Sequence, residues 1–208
     1  MEVIFLTEWV FMDMGSTFIN EEECYNYRII ETLQQKNAPS KDEFLKKMSF
    51  YAKQNKDPYK CALKEFGLNK VHWKSEYEKL YEGTYAVLEK LHGKYKLGII
   101  ANQELGTEQR LVNFGIRHFF DVIAASAEEN VAKPNQRLFR IALEKANCSP
   151  ADGCMVGDRL DNDIIPAIEL GMKAIWVKQG WGGMGSVDIL EKEPDIIISK
   201  FANIIDYM

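Results

Sequence analysis

The chain has 208 residues, 46% hydrophobic and 27% charged, the balance of an ordinary globular protein, which excludes disorder, collagen and coiled coil. At roughly 100–200 residues per domain, this length makes one domain, or one domain with a modest insertion. Twenty-six Lys and Arg against thirty-one Asp and Glu leave a net charge of −5, without the basic surface that sequence-independent nucleic-acid binding needs.

No apolar run reaches the ~18 residues that span a bilayer. The opening stretch MEVIFLTEWVFMDM is punctuated by Glu2, Glu8 and Asp13 and has no basic leader, so it reads as neither anchor nor signal peptide. Cys24, Cys61, Cys148 and Cys154 lack C-x-x-C spacing and fit packed, reduced thiols of a cytoplasmic protein. His72, His92 and His118 are scattered without ligand spacing, which argues against zinc.

In chain order, the first element is an apolar run at 9–12, read as a buried strand. No strand signal follows until Lys96, but helical signals do. Asn20 with Glu23, and Ser40 with Glu43, have the form of capping boxes. A third helix is expected near Pro58–Phe66, closed by Gly67, and a fourth over 76–91. Near-continuous apolar runs then recur at 96–101, 121–125, 154–157, 173–177 and 195–199, as strands covered on both faces must be. Helix-sized segments separate them, one over 134–146 with Pro134 at its start. The pattern predicts a doubly wound, three-layer α/β fold on a parallel sheet. Its core is built from residues 1–18 and 82–208, with a helical insertion of 19–81 after strand one.

Sites in such sheets lie at the carboxyl ends of the strands. Strand one ends in Asp13-Met14-Gly15-Ser16-Thr17, and the run at 154–157 leads into Asp158-Arg159-Leu160-Asp161-Asn162-Asp163. Lys133-Pro134 opens a helix between them. Carboxylates meeting at one edge repel unless a divalent cation compensates them, and hard oxygen ligands suit Mg²⁺. A nearby lysine adds positive charge for an anionic substrate.

Asp13, Lys133-Pro134 and G-D-x-x-x-N-D at 157–163 come in an order that resembles the haloacid dehalogenase-like hydrolase superfamily over essentially the whole chain. The helical insertion stands where subfamily I of that superfamily carries its cap, over a Rossmann-like core. The resemblance implies a Mg²⁺-dependent phosphatase of a small phosphorylated metabolite, working through an aspartyl-phosphate on Asp13. It implies Mg²⁺ on Asp13, the Gly15 backbone carbonyl and Asp158, with Asp163 binding a metal-ligated water or orienting Lys133. Lys133 would stabilise the transferring group, and the N–H groups of Met14 and Gly15 would cradle the phosphate. No nucleic-acid or membrane partner is expected, and the chain is expected to be a monomer or small homo-oligomer.

Two positions depart from that pattern. Phosphatases of the superfamily carry Asp, the general acid/base, where this chain has Gly15, and Ser or Thr where it has Ala101. Either Asn102 donates a hydrogen bond in place of the missing hydroxyl, or that bond is lost. Losing general acid–base help costs about 10²–10⁴ in rate. Turnover should therefore be slow and best for acidic leaving groups, and Gly15→Asp should raise it if the side chain fits. Alternatively, a residue near the cap junction, such as Glu21 or Glu22, reaches in as the acid. A third reading is an impaired module that binds a phosphorylated ligand. Phosphonoacetaldehyde hydrolase-like members use a cap lysine as a Schiff base, but Lys36, Lys41, Lys46, Lys47, Lys53, Lys56 and Lys60 read as solvated. The dehalogenase-like alternative is disfavoured by Gly15 and by the Asp158/Asp163 pair. Gly180–Gly185 reads as a loop beside the site mouth, where Trp181 packs or lines the pocket. Tyr25, Tyr27, Phe44, Phe50 and Tyr51 are expected in the cap core.

Overall fold

The structure is a computed structural model that describes residues 7–188 and 190–208. The first six residues of the opening stretch, and with them part of its reading as neither anchor nor signal peptide, lie outside the described residues. β1 (Trp9–Met12) is buried along its whole length, which its unbroken apolar run requires. It lies inside a six-stranded sheet with β4 (Lys96–Ala101), β5 (Val122–Ala125), β6 (Gly153–Gly157), β7 (Lys173–Val177) and β8 (Ile196–Ile198). Their order is β5-β4-β1-β6-β7-β8, and every pairing is parallel.

Side chains alternate across β1. Val10 and Met12 join one apolar cluster with Val87, Leu88 and Leu91 of α4 (Thr84–His92) and Leu111 of α5 (Thr107–Asn113). Trp9 and Phe11 join another with Leu138, Phe139 and Ala142 of α7 (Gln136–Ala146) and Ala167 of α8 (Ile165–Glu169). Helices thus cover both faces, and the layers number three. The short α6 (Ser126–Glu129) follows β5. Strand order reverses about β1, so its carboxyl end and that of β6 form the switch-point crevice.

The insertion after β1 holds α1 (Glu22–Leu33), α2 (Lys41–Ala52) and α3 (Pro58–Phe66) around its own cluster of Ile29, Phe44, Met48, Tyr59, Ala62 and Leu63. Ser40 and Glu43 form the expected capping box at α2. Asp57 caps α3, and Gly67 ends it at φ 64°, a left-handed conformation that glycine adopts without Cβ strain.

Four local expectations differ from the structure. Asn20 does not cap α1: its side chain accepts the Glu22 N–H at 2.9 Å, a tight turn two residues long, and Glu21 is the residue at the cap position. The expected helix over 76–91 splits into a 3₁₀ turn at Ser75–Tyr77, β3 (Lys79–Leu80) and α4, which starts behind left-handed Gly83. β3 pairs antiparallel with β2 (Ile19–Asn20), tying together the two chain crossings in a ribbon too short to leave an alternating signal. The helix expected over 134–146 begins at Gln136, because the Asn135 side chain caps it by accepting the Arg137 N–H at 2.9 Å. Phe50, placed in the cap core by its helical spacing, is instead 52% exposed.

All four cysteines are free. Among the described residues no helix is long and apolar enough to cross a membrane.

Candidate active site

Asp13 leaves β1 at the switch point, its N–H held by the Val156 carbonyl of the neighbouring strand at 2.9 Å. Asp158 directly follows β6 and is 4% exposed. A π-helical turn over Leu160–Ile164 then brings Asp163 back beside it, its Oδ2 accepting the Arg159 N–H at 3.0 Å. Lys133 is buried between these groups. Its Nζ donates to Asp13 Oδ1 and to Asp163 Oδ1, each at 2.6 Å, and to the Ile100 carbonyl at 2.8 Å. All three ammonium protons are therefore placed.

Asn102 holds this lysine from behind. Its side chain accepts the Lys133 N–H at 2.7 Å and donates to the Lys133 carbonyl at 2.9 Å. It also lines the small cavity over Asp13, which measures about 140 Å³. Gly15, Asp158 and Asp163 line it too, whereas Met14 and Ala101 are fully buried and do not. Any part Met14 takes falls to its backbone, and the Ala101 methyl offers no hydrogen bond.

Charge at this edge is unbalanced. Asp13, Asp158 and Asp163 offer carboxylate oxygens within 4.8 Å of one another, against the single amine of Lys133. Burial, then repulsion from Asp163, Asp13 and Glu21, pushes the Asp158 carboxyl well above the usual range, against the pull of Arg159. Burial also raises Asp163, against the pull of Lys133. Burial alone would lower the Lys133 ammonium, but Asp13 and Asp163 outweigh it and raise it. A buried cluster with more carboxylates than cations is what a divalent ion relieves, so these residues fit a hard metal such as Mg²⁺.

Glu21 is the fourth carboxyl here. Burial first, then the charges of Asp13 and Glu78, push it to about 8, against the Ser16 hydroxyl and Arg110. The Ser16 hydroxyl donates to Glu21 Oε2 at 3.0 Å. The sequence offered Glu21 and Glu22 alike. The structure separates them: Glu21 lines the small cavity, and Glu22 is exposed and does not.

The helical insertion closes over the site. Asn55 exchanges two hydrogen bonds with Ser186, at 2.8 and 2.9 Å, and Arg159 stands 3.7 Å from Asp57. Trp181 both packs and lines: its ring lies 6.5 Å from that of Tyr25 and borders the small cavity as well as a larger one of about 720 Å³. The larger cavity runs between Tyr25, Ile29 and Leu45 on one side and Tyr81, Trp181 and Met184 on the other. Lys41 and Lys46 border it from the exposed surface of α2. None of the eleven lysines between residues 19 and 81 is buried, so no desolvated amine is on offer there for a Schiff base. Tyr25, expected in the cap core, also lines the small cavity, as do Gln103 and Arg159, the latter from within the 157–163 motif.

A family description, haloacid dehalogenase-like hydrolase, matches residues 10–177, most of the chain. The chain belongs to the haloacid dehalogenase-like hydrolase family. It is 38% identical over 99 residues to glyceraldehyde 3-phosphate phosphatase of Methanothermobacter thermautotrophicus, 47% of this chain and 44% of that one. It is likewise 38% identical over 97 residues to pyrimidine 5'-nucleotidase YjjG of Escherichia coli, 46% of this chain and 43% of that one. These matches span less than half the length of either relative. Family folds superpose over nearly the whole chain. A HAD phosphatase from Thermococcus onnurineus gives a TM-score of 0.65 at 24% identity, covering 95% of this chain and 96% of that one. The HAD-hydrolase YfnB from Bacillus subtilis, whose structure is bound to magnesium and reveals interdomain movement, gives 0.70 at 17% identity, covering 95% and 96%.

Proposed function

We propose that this family member is a Mg²⁺-dependent hydrolase of a small phosphorylated metabolite, with Asp13 as the nucleophile. The observation that carries this reading is the Lys133 ammonium shared between Asp13 and Asp163, with Asp158 alongside at the switch point. Hydrogen bonding to Lys133 aims one Asp13 oxygen, leaving the other for attack. Phosphatase names among the relatives, and magnesium in YfnB, support the same reading.

Asp13, Asp158, the Gly15 carbonyl and Asp163, directly or through water, would hold Mg²⁺. When bound, the ion neutralises charge on the phosphoryl oxygens. The chain's own residues do the rest. Asp13 attacks phosphorus; Lys133 stabilises charge on the transferring group; backbone N–H groups of Met14 and Gly15 receive its oxygens. Asn102 keeps Lys133 in register, and the Ala101 position contributes no hydroxyl. We take residues 19–81 as the cap and the core as 1–18 and 82–208, so the β2–β3 ribbon marks the joint. The 720 Å³ cavity between cap and core is the space for the remainder of the substrate.

A panel of alkyl, aryl and acyl phosphates, assayed with and without Mg²⁺, tests this. We expect Mg²⁺-dependent phosphate release, and at least a 10³-fold loss in Asp13→Asn, whose amide cannot attack. Unchanged turnover in that variant would mean that the nucleophile lies elsewhere.

A further inference from the structure

Gly15 and Glu21 are complementary in shape. A Cβ on residue 15 would stand 2.7 Å from Glu21 Cδ and 2.9 Å from its Oε2, so any side chain there competes with the Glu21 carboxyl for one volume. Glu21 holds the cap position of α1 yet makes no capping hydrogen bond. A carboxylate at a helix start ordinarily accepts from that helix's own N–H groups. Here it is turned inward instead, onto the loop after Asp13, where it accepts from Ser16. That loop is shaped around the pair. Ser16 sits at φ 56°, and Gly180 packs where a Cβ would lie 2.6 Å from Ser16 Cβ. Glu21 borders both the small cavity with Asp13 and the larger one beyond it, the boundary at which a leaving-group oxygen departs. Glu22, next along the chain, borders only the larger.

We propose that Glu21 supplies the carboxyl that residue 15 lacks, serving as the general acid/base for hydrolysis at Asp13. This rests on the hydrolase reading above. In the first half-reaction, an Asp13 oxygen forms a bond to phosphorus as the bond to the leaving oxygen breaks. The Glu21 proton passes to that oxygen, and an alcohol departs. In the second, a water oxygen bonds to phosphorus and gives its proton to the Glu21 carboxylate. The phosphorus–Asp13 bond breaks, and inorganic phosphate and protonated Glu21 are regenerated. The proton-transfer group has moved from the strand-end loop to the residue that precedes the first cap helix, so it reaches the site only when the cap is seated.

Glu21→Gln, which keeps shape and removes the proton, tests this against alkyl and aryl phosphates. Alkyl turnover should fall about 10²–10⁴-fold and aryl turnover less than tenfold, because an aryl oxide leaves without protonation. Equal losses on both, or no loss on either, overturn the proposal. A second comparison covers misfolding. Gly15→Asp alone should lower alkyl turnover by collision with Glu21, and Gly15→Asp with Glu21→Ala should regain it at least tenfold. A double variant no better than the single one counts against the exchange. If the native chain releases phosphate from neither substrate, or Asp13→Asn remains active, the hydrolase reading itself has failed, a different result from a Glu21→Gln that loses nothing.

Discussion

Asp13, Asp158, Asp163 and Glu21 crowd one strand edge beside a single buried lysine, and such crowding costs stability whenever the carboxyls ionise. The Glu21 carboxyl is raised from 4.5 to about 8, chiefly by burial, and Asp158 is raised well above 3.8 for the same leading reason. Between their ordinary and raised values the folded chain binds more protons than the unfolded chain, so stability falls as pH rises. Lys133, raised from 10.5, acts with the same sign, but its stabilising contribution is lost only as pH rises above that value, outside this window. Metal-free protein should therefore resist urea better at pH 5 than at pH 8. Mg²⁺ should stabilise more at pH 8, where fewer protons compete with it for the site. Urea midpoints at both pH values, with EDTA and with Mg²⁺, check this. A metal-free midpoint that does not fall, or one that falls equally in Glu21→Gln, would mean that these carboxyls do not carry the pH dependence.

Elements whose signals are local were legible, and those set by packing were not. α3 was bounded correctly because Pro58 at its start and Gly67 at its end each act through their own backbone. Gly67→Ala should accordingly cost about 1 kcal/mol in urea unfolding, with Gly67→Asn costing less. Nothing lies within 4 Å of the added Cβ, so the whole effect is left-handed strain. A neutral Gly67→Ala would mean that the α3 terminus frays freely. The six strands were legible because burial on both faces makes each run apolar throughout. The start of α1 was misjudged for a tertiary reason. Asn20 and Glu23 satisfy the capping pattern, but the neighbouring carboxyl of Glu21 is drawn inward beside Gly15 and the turn reorganises around it. Strand-end residues Asp13 and Asp158 could be placed from chain order alone, as could Lys133. Choosing between Glu21 and Glu22 needed the packing of the cap, which no spacing encodes.

For the molecule as a whole, access to Asp13 depends on how firmly the cap is seated. The 140 Å³ cavity is about a fifth of the space beyond it, and polar contacts including Arg110–Glu78, Arg159–Asp57 and Asn55–Ser186 join cap and core. The Asn55–Ser186 pair supplies two of these bonds, both far from the carboxylates in sequence. Each such bond is worth about 0.5–1.5 kcal/mol, so losing both shifts the seated population by about 1–3 kcal/mol. Asn55 sits at φ 56°, where alanine would add backbone strain of its own. Asn55→Gly avoids that and removes only the side chain. If seating assembles the site, the substrate must supply the lost closing energy, and KM should rise about 5–150-fold. Phosphoryl transfer at saturating substrate should change less, because Asp13, Lys133 and Glu21 are untouched once the cap is down. Steady-state KM beside a single-turnover rate at saturation separates the two. An unchanged KM would mean that the aromatic contact of Tyr25 with Trp181 and the Arg159–Asp57 pair suffice to hold the cap.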